Sequence, residues 1–251
     1  MTDKASTKKQ SQPSYNDKRN VTNKAYLIEP IIRHRIQDSI FYKQYLYLTN
    51  EATILPIIID HVKFIGGTDS IGKSCQFLSC LFRLLELDPS QEIIDSYLTQ
   101  LGFNEFKYLT ALILIYIRIT YNSSLVYSTF DKFGQDFRKL RIKLKSPEFN
   151  KFGIPINFKL TYMDEWIDDL LVNERVVNII LPRLTPRITL VENGLIEPKQ
   201  YHHEKDEEEE EEEDDGDDNE SDIVNDANSK RTITITTNND NEPDSDFESD
   251  S

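Results

Sequence analysis

Residues Phe106 to Thr120 read FKYLTALILIYIRIT, and this stretch decides the fold. From Leu109 to Ile119 it is apolar on nearly every side of a helix, which is typical of a helix buried at the centre of a domain. Its β-branched residues leave a strand open as the alternative. The neighbouring segments carry apolar residues at helical spacing and lack regular two-residue hairpin signals, and both features favour the helix.

Helical spacing also marks the segments that precede this stretch. Residues 26–46 predict two short helices or one kinked helix, with Pro30 in the first turn. Thr49 is the predicted N-cap of the next helix, and Gly66 with Gly67 follows that helix. A further helix is predicted from about Cys75 to Glu86, after which Asp88 caps another. Each of these helices has one apolar face, so we expect them to pack around the central one.

The segments after the central stretch are predicted from similar signals. Asn104 is the expected N-cap of the central helix, and Asn122 to Ser124 restart a helix. A loop is expected around Pro147, Gly153 and Pro155, and then a helical pair from Asp164 to Leu181. The segment from Pro186 to Ile196 has β-branched residues and an Asn-Gly pair, which favour a small hairpin.

Together these signals predict an all-α protein. We expect a single compact multi-helix domain at residues 23–200, with one small β-hairpin near its C-terminal end. Residues 1–22 are rich in Lys, Ser, Gln, Asn and Thr, and residues 201–251 are strongly acidic, so both flanking segments are predicted to be disordered.

Charge divides sharply along the chain. Residues 201–251 contain 22 acidic and 3 basic residues, a net charge of -19, whereas the preceding residues contain 22 acidic and 26 basic ones, a net charge of +4. The acidic isoelectric point therefore describes the tail, and a core that contacts RNA or acidic partners is compatible with it.

The composition argues against several classes of protein. Cys75 and Cys80 are too few and too close for a disulfide framework or a zinc site, and no metal or other cofactor is expected. The N-terminus has no apolar signal region, and no run of about 18 apolar residues occurs. The chain is accordingly predicted to be neither secreted nor membrane-bound.

One motif suggests an enzyme. Gly67 to Ser74, GTDSIGKS, matches the phosphate-binding P-loop pattern, in which Lys73 and Ser74 would contact phosphate and magnesium. A P-loop requires a buried strand before it and a carboxylate at the end of another strand. The preceding segment has the pattern of a helix, and no such carboxylate follows the later apolar runs, so a glycine-rich loop between helices is the favoured interpretation.

Two groups of charged residues are candidate binding sites. The first is acidic and surrounds a tryptophan, and it would suit a basic partner, although a solvated helix face explains the same pattern. Its members are Asp164, Glu165, Trp166, Asp168, Glu174 and Arg175. The second is basic, is expected at the end of a helix, and would suit RNA phosphates or an acidic protein segment. Its members are Arg138, Lys139, Arg141, Lys143 and Lys145. No exposed aromatic residues are expected among the basic ones, so base recognition is not predicted.

Five blocks of sequence resemble the pre-mRNA-splicing factor 38 family. They run in the family's order from YLIEPIIRHRI at Tyr26 to Ile36, through FIGG at Phe64 to Gly67, to three longer blocks. These are FLSCLFRLLELDP at Phe77 to Pro89, FKYLTALILIYIRIT at Phe106 to Thr120, and MDEWIDDLLVNERVVNIILPRL at Met163 to Leu184. The resemblance spans residues 26 to about 199, and the acidic tail looks like that of a short fungal-type member.

The resemblance implies a nuclear, all-helical protein that is not an enzyme. It implies a scaffold that joins the spliceosome with the tri-snRNP and promotes activation in the precatalytic spliceosome. The implied partners are a zinc-finger protein and proteins that contribute long helices. Two alternatives from other classes are a P-loop nucleotide-binding protein and a chaperone that binds basic nuclear proteins through the acidic tail.

Overall fold

The computed structural model describes Arg19, residues 21–103 and residues 105–199. Eight α-helices lie within these residues: α1 Pro30–Asp38, α2 Glu51–His61, α3 Gln76–Leu87, α4 Gln91–Thr99, α5 Lys107–Thr120, α6 Ser123–Phe133, α7 Met163–Val172 and α8 Arg187–Glu192. Two 3-10 helices, Lys24–Leu27 and Gln100–Gly102, and a π-helix, Tyr42–Leu46, complete the helical part. Four strands pair in two small sheets: β1 Lys139–Phe149 with β2 Pro155–Tyr162, and β3 Arg175–Val176 with β4 Ile179–Ile180.

Helix α5 is the central helix, as its sequence predicts. Every residue from Leu109 to Ile119 is buried, and α5 packs against α2, α3, α4, α6 and α7. Because a helix buried on all sides has no face for water, this segment needs no polar stripe. The indole N–H of Trp166 on α7 donates to the Ala111 carbonyl at 3.2 Å and joins α7 to α5.

The residues at the helix ends are partly those that the sequence predicted. Pro30 is the first residue of α1 and Asn122 caps α6, both as predicted. Asn50, rather than Thr49, caps α2, because its side chain accepts from the Thr53 N–H while Thr53 Oγ1 accepts from the Asn50 N–H. Asp88 ends α3 in a left-handed conformation instead of starting α4. The predicted cap at Asn104 lies outside the described residues.

The long hairpin of β1 and β2 corrects the prediction for residues 139–162. A helix ending in a basic cluster and a loop around Pro147 and Pro155 were expected there, but these residues form an antiparallel pair from Lys139 opposite Tyr162 to Phe149 opposite Pro155. Alternating side chains explain the strand, since Leu140 and Thr161 face the core while Arg141 and its opposite residue Leu160 face outward. Ile65 lies beside β1 in a parallel bridge to Ile142.

Two further segments exchange their predicted structures. The expected second helix of the pair from Asp164 to Leu181 is the β3–β4 hairpin, whose turn residues Val177 and Asn178 have φ values of 46° and 68°. Two consecutive positive φ values are typical of the tight turn that joins two strands by two residues. The hairpin expected between Pro186 and Ile196 is wrong, because α8 occupies this segment and Asn193 is its C-cap.

The predicted fold class is confirmed, since the described residues are mostly helical with small antiparallel sheets toward the C-terminal end. The boundaries at residues 23 and 200 and the predicted disorder of the two flanking segments stay predictions. Nearly all of the flanking residues lie outside the described ones.

Candidate functional site

The turn between β3 and β4 packs directly on the double glycine at Gly66 and Gly67. The Thr68 N–H donates to Asn178 Oδ1 at 2.9 Å, and Gly67 lies against the Val177 carbonyl. A β-carbon on Gly67 would lie 2.6 Å from the Val177 carbonyl carbon, which is far below van der Waals contact. The close approach explains why glycine stands here: any larger residue would separate this turn from the loop.

The loop from Gly67 to Ser74 is closed by its own hydrogen bonds. Asp69 Oδ1 accepts from the N–H groups of Ile71 and Lys73, at 3.1 and 2.8 Å. The Asp69 N–H donates to the Lys73 carbonyl, and the Cys75 N–H donates to the Gly67 carbonyl. A P-loop needs these N–H groups for phosphate. Since they are occupied, and helix α2 followed by one bridged residue, Ile65, precedes the loop in place of a buried strand, the loop lacks the geometry of a nucleotide site.

Burial shapes the chemistry of Cys75, the residue that follows this loop. Its thiol donates to the Gly66 carbonyl at 2.9 Å, and burial raises the pKa of Cys75 to about 11. A protonated thiol is a poor nucleophile and metal ligand, so Cys75 has a structural role. Among the described residues, no group of three or more His, Cys, Asp or Glu side chains is arranged to hold a metal ion.

An open groove of about 870 Å³ lies where α7 ends. The end of α7, β4 and the segment from Leu181 to Pro186 form its walls, with Tyr127 of α6 opposite. Its apolar surface includes Val172, which is 80% exposed, and Ile180, which is 43% exposed. Exposed aliphatic side chains around a groove are typical of a surface that packs against another protein.

The buried guanidinium of Arg118 forms part of this groove. It donates to the carbonyl groups of Leu170 at 2.8 Å and Pro182 at 2.7 Å, and the residue is 3% exposed. Burial and, to a smaller extent, the positive charge of the nearby Arg19 lower the pKa of Arg118 to about 10. The group stays charged at neutral pH, and it fixes the last turn of α7 against the segment after β4.

The predicted acidic group is divided between the surface and the core. Trp166 is 1% exposed and belongs to the core. Glu165 accepts from the Thr161 hydroxyl and from the Tyr162 N–H, so it caps the start of α7. The Asp164 N–H donates to the Asp136 carbonyl. Asp168 and Glu174 are exposed, and only these two carboxylates of the group face solvent without a hydrogen bond in the part of the chain that the structure describes.

The last member of this group, Arg175, forms local contacts. Its guanidinium pairs with Glu29 at 3.0 Å and also donates to the Asn178 carbonyl at 2.9 Å. The arginine therefore ties the β3–β4 hairpin to the N-terminal end of α1. Partner binding by the predicted group stays a prediction, and the surface available for it consists of Asp168 and Glu174.

Four members of the predicted basic group lie on β1, and the fifth, Arg138, directly precedes the strand and is neutralised. Arg138 pairs with Asp136 through several hydrogen bonds, the shortest 2.6 Å. No carboxylate within the described ranges pairs with Lys139, Arg141, Lys143 or Lys145. The positive charge of these four side chains is therefore available to a ligand.

Sequence reasoning missed two features of these surfaces. Arg118 sits inside an apolar run, and no local pattern shows that α7 would end with its carbonyl groups against it. The strand at the basic group did leave a signal, because KLRIKLK at Lys139 to Lys145 alternates charged and apolar residues with the period of a strand.

The comparisons with known proteins agree with this architecture. Residues 17–194 match the model of the PRP38 family. Pre-mRNA-splicing factor 38 of Schizosaccharomyces pombe is 36% identical over 173 residues, which cover 69% of this chain and 76% of that protein. The Drosophila melanogaster protein of the same name is 37% identical over 71% of this chain and 50% of its own length. Pre-mRNA-splicing factor 38A of Homo sapiens is 34% identical over 71% of this chain and 53% of its own.

A solved structure has the same fold. A chain in the crystal structure of the Snu23-Prp38-MFAP1(217-258) complex of Chaetomium thermophilum matches with a TM-score of 0.63 and 39% identity. The match covers 70% of this chain and 86% of that one. Relative to the fly and human proteins, the chain spans about half of their length.

The fold and these relatives define a class: helical splicing proteins without known enzymatic activity. The chain belongs to the PRP38 family. A role in pre-mRNA splicing follows from this membership, and the resemblance stated from the sequence blocks is confirmed. In the described part of the chain, each helix is too short or too polar to cross a membrane.

Proposed function

We propose that the protein is a nuclear scaffold of the spliceosome that joins with the tri-snRNP and promotes activation by binding other proteins. The observation that carries this proposal is the similarity to a chain in the Snu23-Prp38-MFAP1(217-258) complex. The proposed partners are the counterparts of these proteins, a zinc-finger protein and a protein that contributes a long helix.

The groove at the end of α7 is the proposed docking site for the helical partner. Val172 and Ile180 offer apolar contacts, and the exposed carboxylate of Glu174 lies in the same groove. An amphipathic helix binds such a groove through an apolar face, while charged residues at the rim set its register. Arg118 supports the site by holding two of its walls together.

Affinity purification of the tagged full-length chain from nuclear extract tests the proposal. We expect tri-snRNP proteins and the two proposed partners to be recovered with the wild-type chain. Val172→Glu and Ile180→Glu should reduce recovery of the helical partner at least tenfold, since each puts a charge on the apolar contact. Leu48→Glu is the matched control, because Leu48 is 90% exposed and lies outside the groove.

Three results would contradict this proposal. Loss of the partner with Leu48→Glu to the same degree would show that the groove is not the site. A wild-type chain that recovers no splicing proteins would contradict the scaffold role, and partners that depend only on residues 201–251 would favour the acidic-tail chaperone.

A further inference from the structure

The outward face of β1 and β2 combines basic and aromatic side chains. Cross-strand pairing puts Lys139 opposite Tyr162, Arg141 opposite Leu160, and Lys143 opposite Phe158, so all six lie on one face. The opposite face carries Leu140 and Thr161, which are buried. The outward face is therefore the surface that the core leaves open.

Phe64 extends this face on the other side of β1. The Ile65 N–H donates to the Arg141 carbonyl and the Lys143 N–H donates to the Ile65 carbonyl, both at 2.8 Å, so the segment around Ile65 runs beside β1. The rings of Phe64 and Phe158 then meet with their centroids 5.2 Å apart. Phe158 is 37% exposed, so part of its ring faces solvent.

Cations surround this aromatic pair. The Arg141 guanidinium lies 5.8 Å from the Phe158 ring centroid, and Lys143 Nζ lies 5.7 Å from that of Phe64. The backbone of Lys63 and the ammonium of Lys107 lie at the same edge, because Arg141 donates to the Lys63 carbonyl and Lys107 donates to the Lys139 carbonyl. The Lys63 ammonium itself donates to the Ile59 carbonyl of α2 at 2.8 Å. Within the described residues none of these five basic side chains forms an ion pair.

A cavity continues the basic face beyond Lys143. It has a volume of about 310 Å³ and is lined by Lys143, Lys145 and Arg175, together with the backbone of Gly66 and Gly67. Asp169 is the carboxylate among the residues that line it. A row of positive charge thus runs from Lys139 past the aromatic pair to this cavity.

We propose that this face binds single-stranded RNA. Phosphates would lie along the cations, and a base would stack on the exposed part of the Phe158 ring. Cations that follow a backbone, interleaved with aromatic rings that stack bases, are the two features by which proteins bind single strands with little sequence preference. The inference rests on the proposed splicing function, which brings the chain close to RNA. An acidic protein segment would match the positive charge of this face, but it would not need the exposed Phe158 ring, and for this reason RNA is the favoured ligand.

Fluorescence anisotropy of the full-length chain with a short labelled oligouridylate tests the proposal. Phe158→Ala should weaken binding by about tenfold, the loss typical of one stacked base. Phe152→Ala is the matched control. Phe152 is 86% exposed on the same hairpin, and among the described residues its ring makes neither the ring contact with Phe64 nor the cation contact with Arg141 that Phe158 makes. Phe158→Leu keeps an apolar side chain against Phe64, so its loss of affinity would reflect stacking rather than misfolding.

The double variant Lys139→Gln and Lys143→Gln tests how much the positive charge of this face contributes to RNA binding. Each phosphate contact to a single strand contributes roughly 0.7 to the slope of log affinity against log salt, so the slope should fall by about 1.4. Lys43→Gln combined with Lys132→Gln removes the same charge from other elements and should leave the slope unchanged. Thermal unfolding of every variant identifies any that fail to fold.

Three outcomes would overturn the proposal. The first is that the wild-type chain binds no RNA, and the second is that the variants and their controls lose RNA affinity equally. The third is that polyglutamate competes with RNA while Phe158→Ala binds RNA normally, which would assign the face to acidic proteins. The proposed scaffold function is judged separately. It stands if the hairpin variants lose RNA binding but still recover splicing proteins. A loss of both RNA and splicing proteins by the groove variants would instead bear on the scaffold function.

Discussion

Replacing Gly67 with alanine puts a methyl group into the contact between the Gly67–Ser74 loop and the β3–β4 turn. The new carbon would lie 2.6 Å from the Val177 carbonyl carbon and nearer still to the Val177 oxygen and to Asn178 Oδ1. These atoms belong to the backbone and to a side chain held by a hydrogen bond, so relief requires the turn to move. The hydrogen bond from the Thr68 N–H to Asn178 would be lost with that movement.

The expected loss of stability follows from these two effects. Overpacking of a close contact costs about 1–3 kcal/mol. A lost hydrogen bond adds about 1 kcal/mol. We therefore expect Gly67→Ala to lower the free energy of unfolding by about 2–4 kcal/mol, a large part of the roughly 5–15 kcal/mol typical of a domain.

Urea unfolding of the full-length chain, followed by tryptophan fluorescence, measures this loss. The chain contains one tryptophan, Trp166, which is buried and lines the same cavity as Gly67 and Asn178. Gly134→Ala is the matched control, because Gly134 has a φ of -63° and the nearest atom to its added carbon is 3.7 Å away. If the two variants differ by less than about 0.5 kcal/mol, the packing explanation of Gly67 is refuted.

Three further predictions concern stability. Arg118→Met removes both hydrogen bonds to the carbonyl groups of α7 and of the segment after β4, and it should cost about 2–4 kcal/mol in urea unfolding. Arg183→Met, at an exposed position, should cost under about 0.5 kcal/mol. Equal effects would show that Arg118 does not link α7 to that segment. Asn50→Ala should cost about 1 kcal/mol in the same assay because it breaks the capping box, while Ser90→Ala, a cap whose side chain makes no capping bond, should be nearly neutral. The raised pKa of Cys75 gives stability that is complete below about pH 9, the thiol's ordinary value, and is lost as the pH rises to about 11. Cys75→Ala should therefore lose less stability than the wild type over this range in pH-dependent urea titrations, and parallel curves would contradict the assignment.

The sequence was sufficient for features that depend on composition along a single helix. The run from Leu109 to Ile119 is apolar on nearly every side, and a helix of this kind is buried at the centre of a domain. Asn122 and Pro30 stand at helix starts because their local chemistry suits those positions. The family was recognisable from its blocks for a similar reason, since the order of motifs is a property of the chain itself.

The sequence was insufficient where a local pattern fitted two structures. Val176 to Leu181 has apolar residues that suit a helix or paired strands, and the left-handed pair Val177 and Asn178 is stabilised by its contact with Gly67, which is distant in the chain. Asp88 has the chemistry of a helix start, yet it ends α3, where its carboxylate accepts from the buried Tyr116 hydroxyl at 3.2 Å and pairs with Lys24. In both cases distant residues outweigh local preference.

The sequence by itself determined the helical class, the family and the basic character of residues 138–145. Only the tertiary structure decided which of those charges a ligand can reach. Arg138 turns back to Asp136, whereas Lys139, Arg141 and Lys143 of β1 share the outward face of the β1–β2 hairpin with Phe158 of β2. The physical reason is that charge is a property of each residue, but its neutralisation and its neighbours depend on strand pairing, which brings residues together that the chain keeps apart.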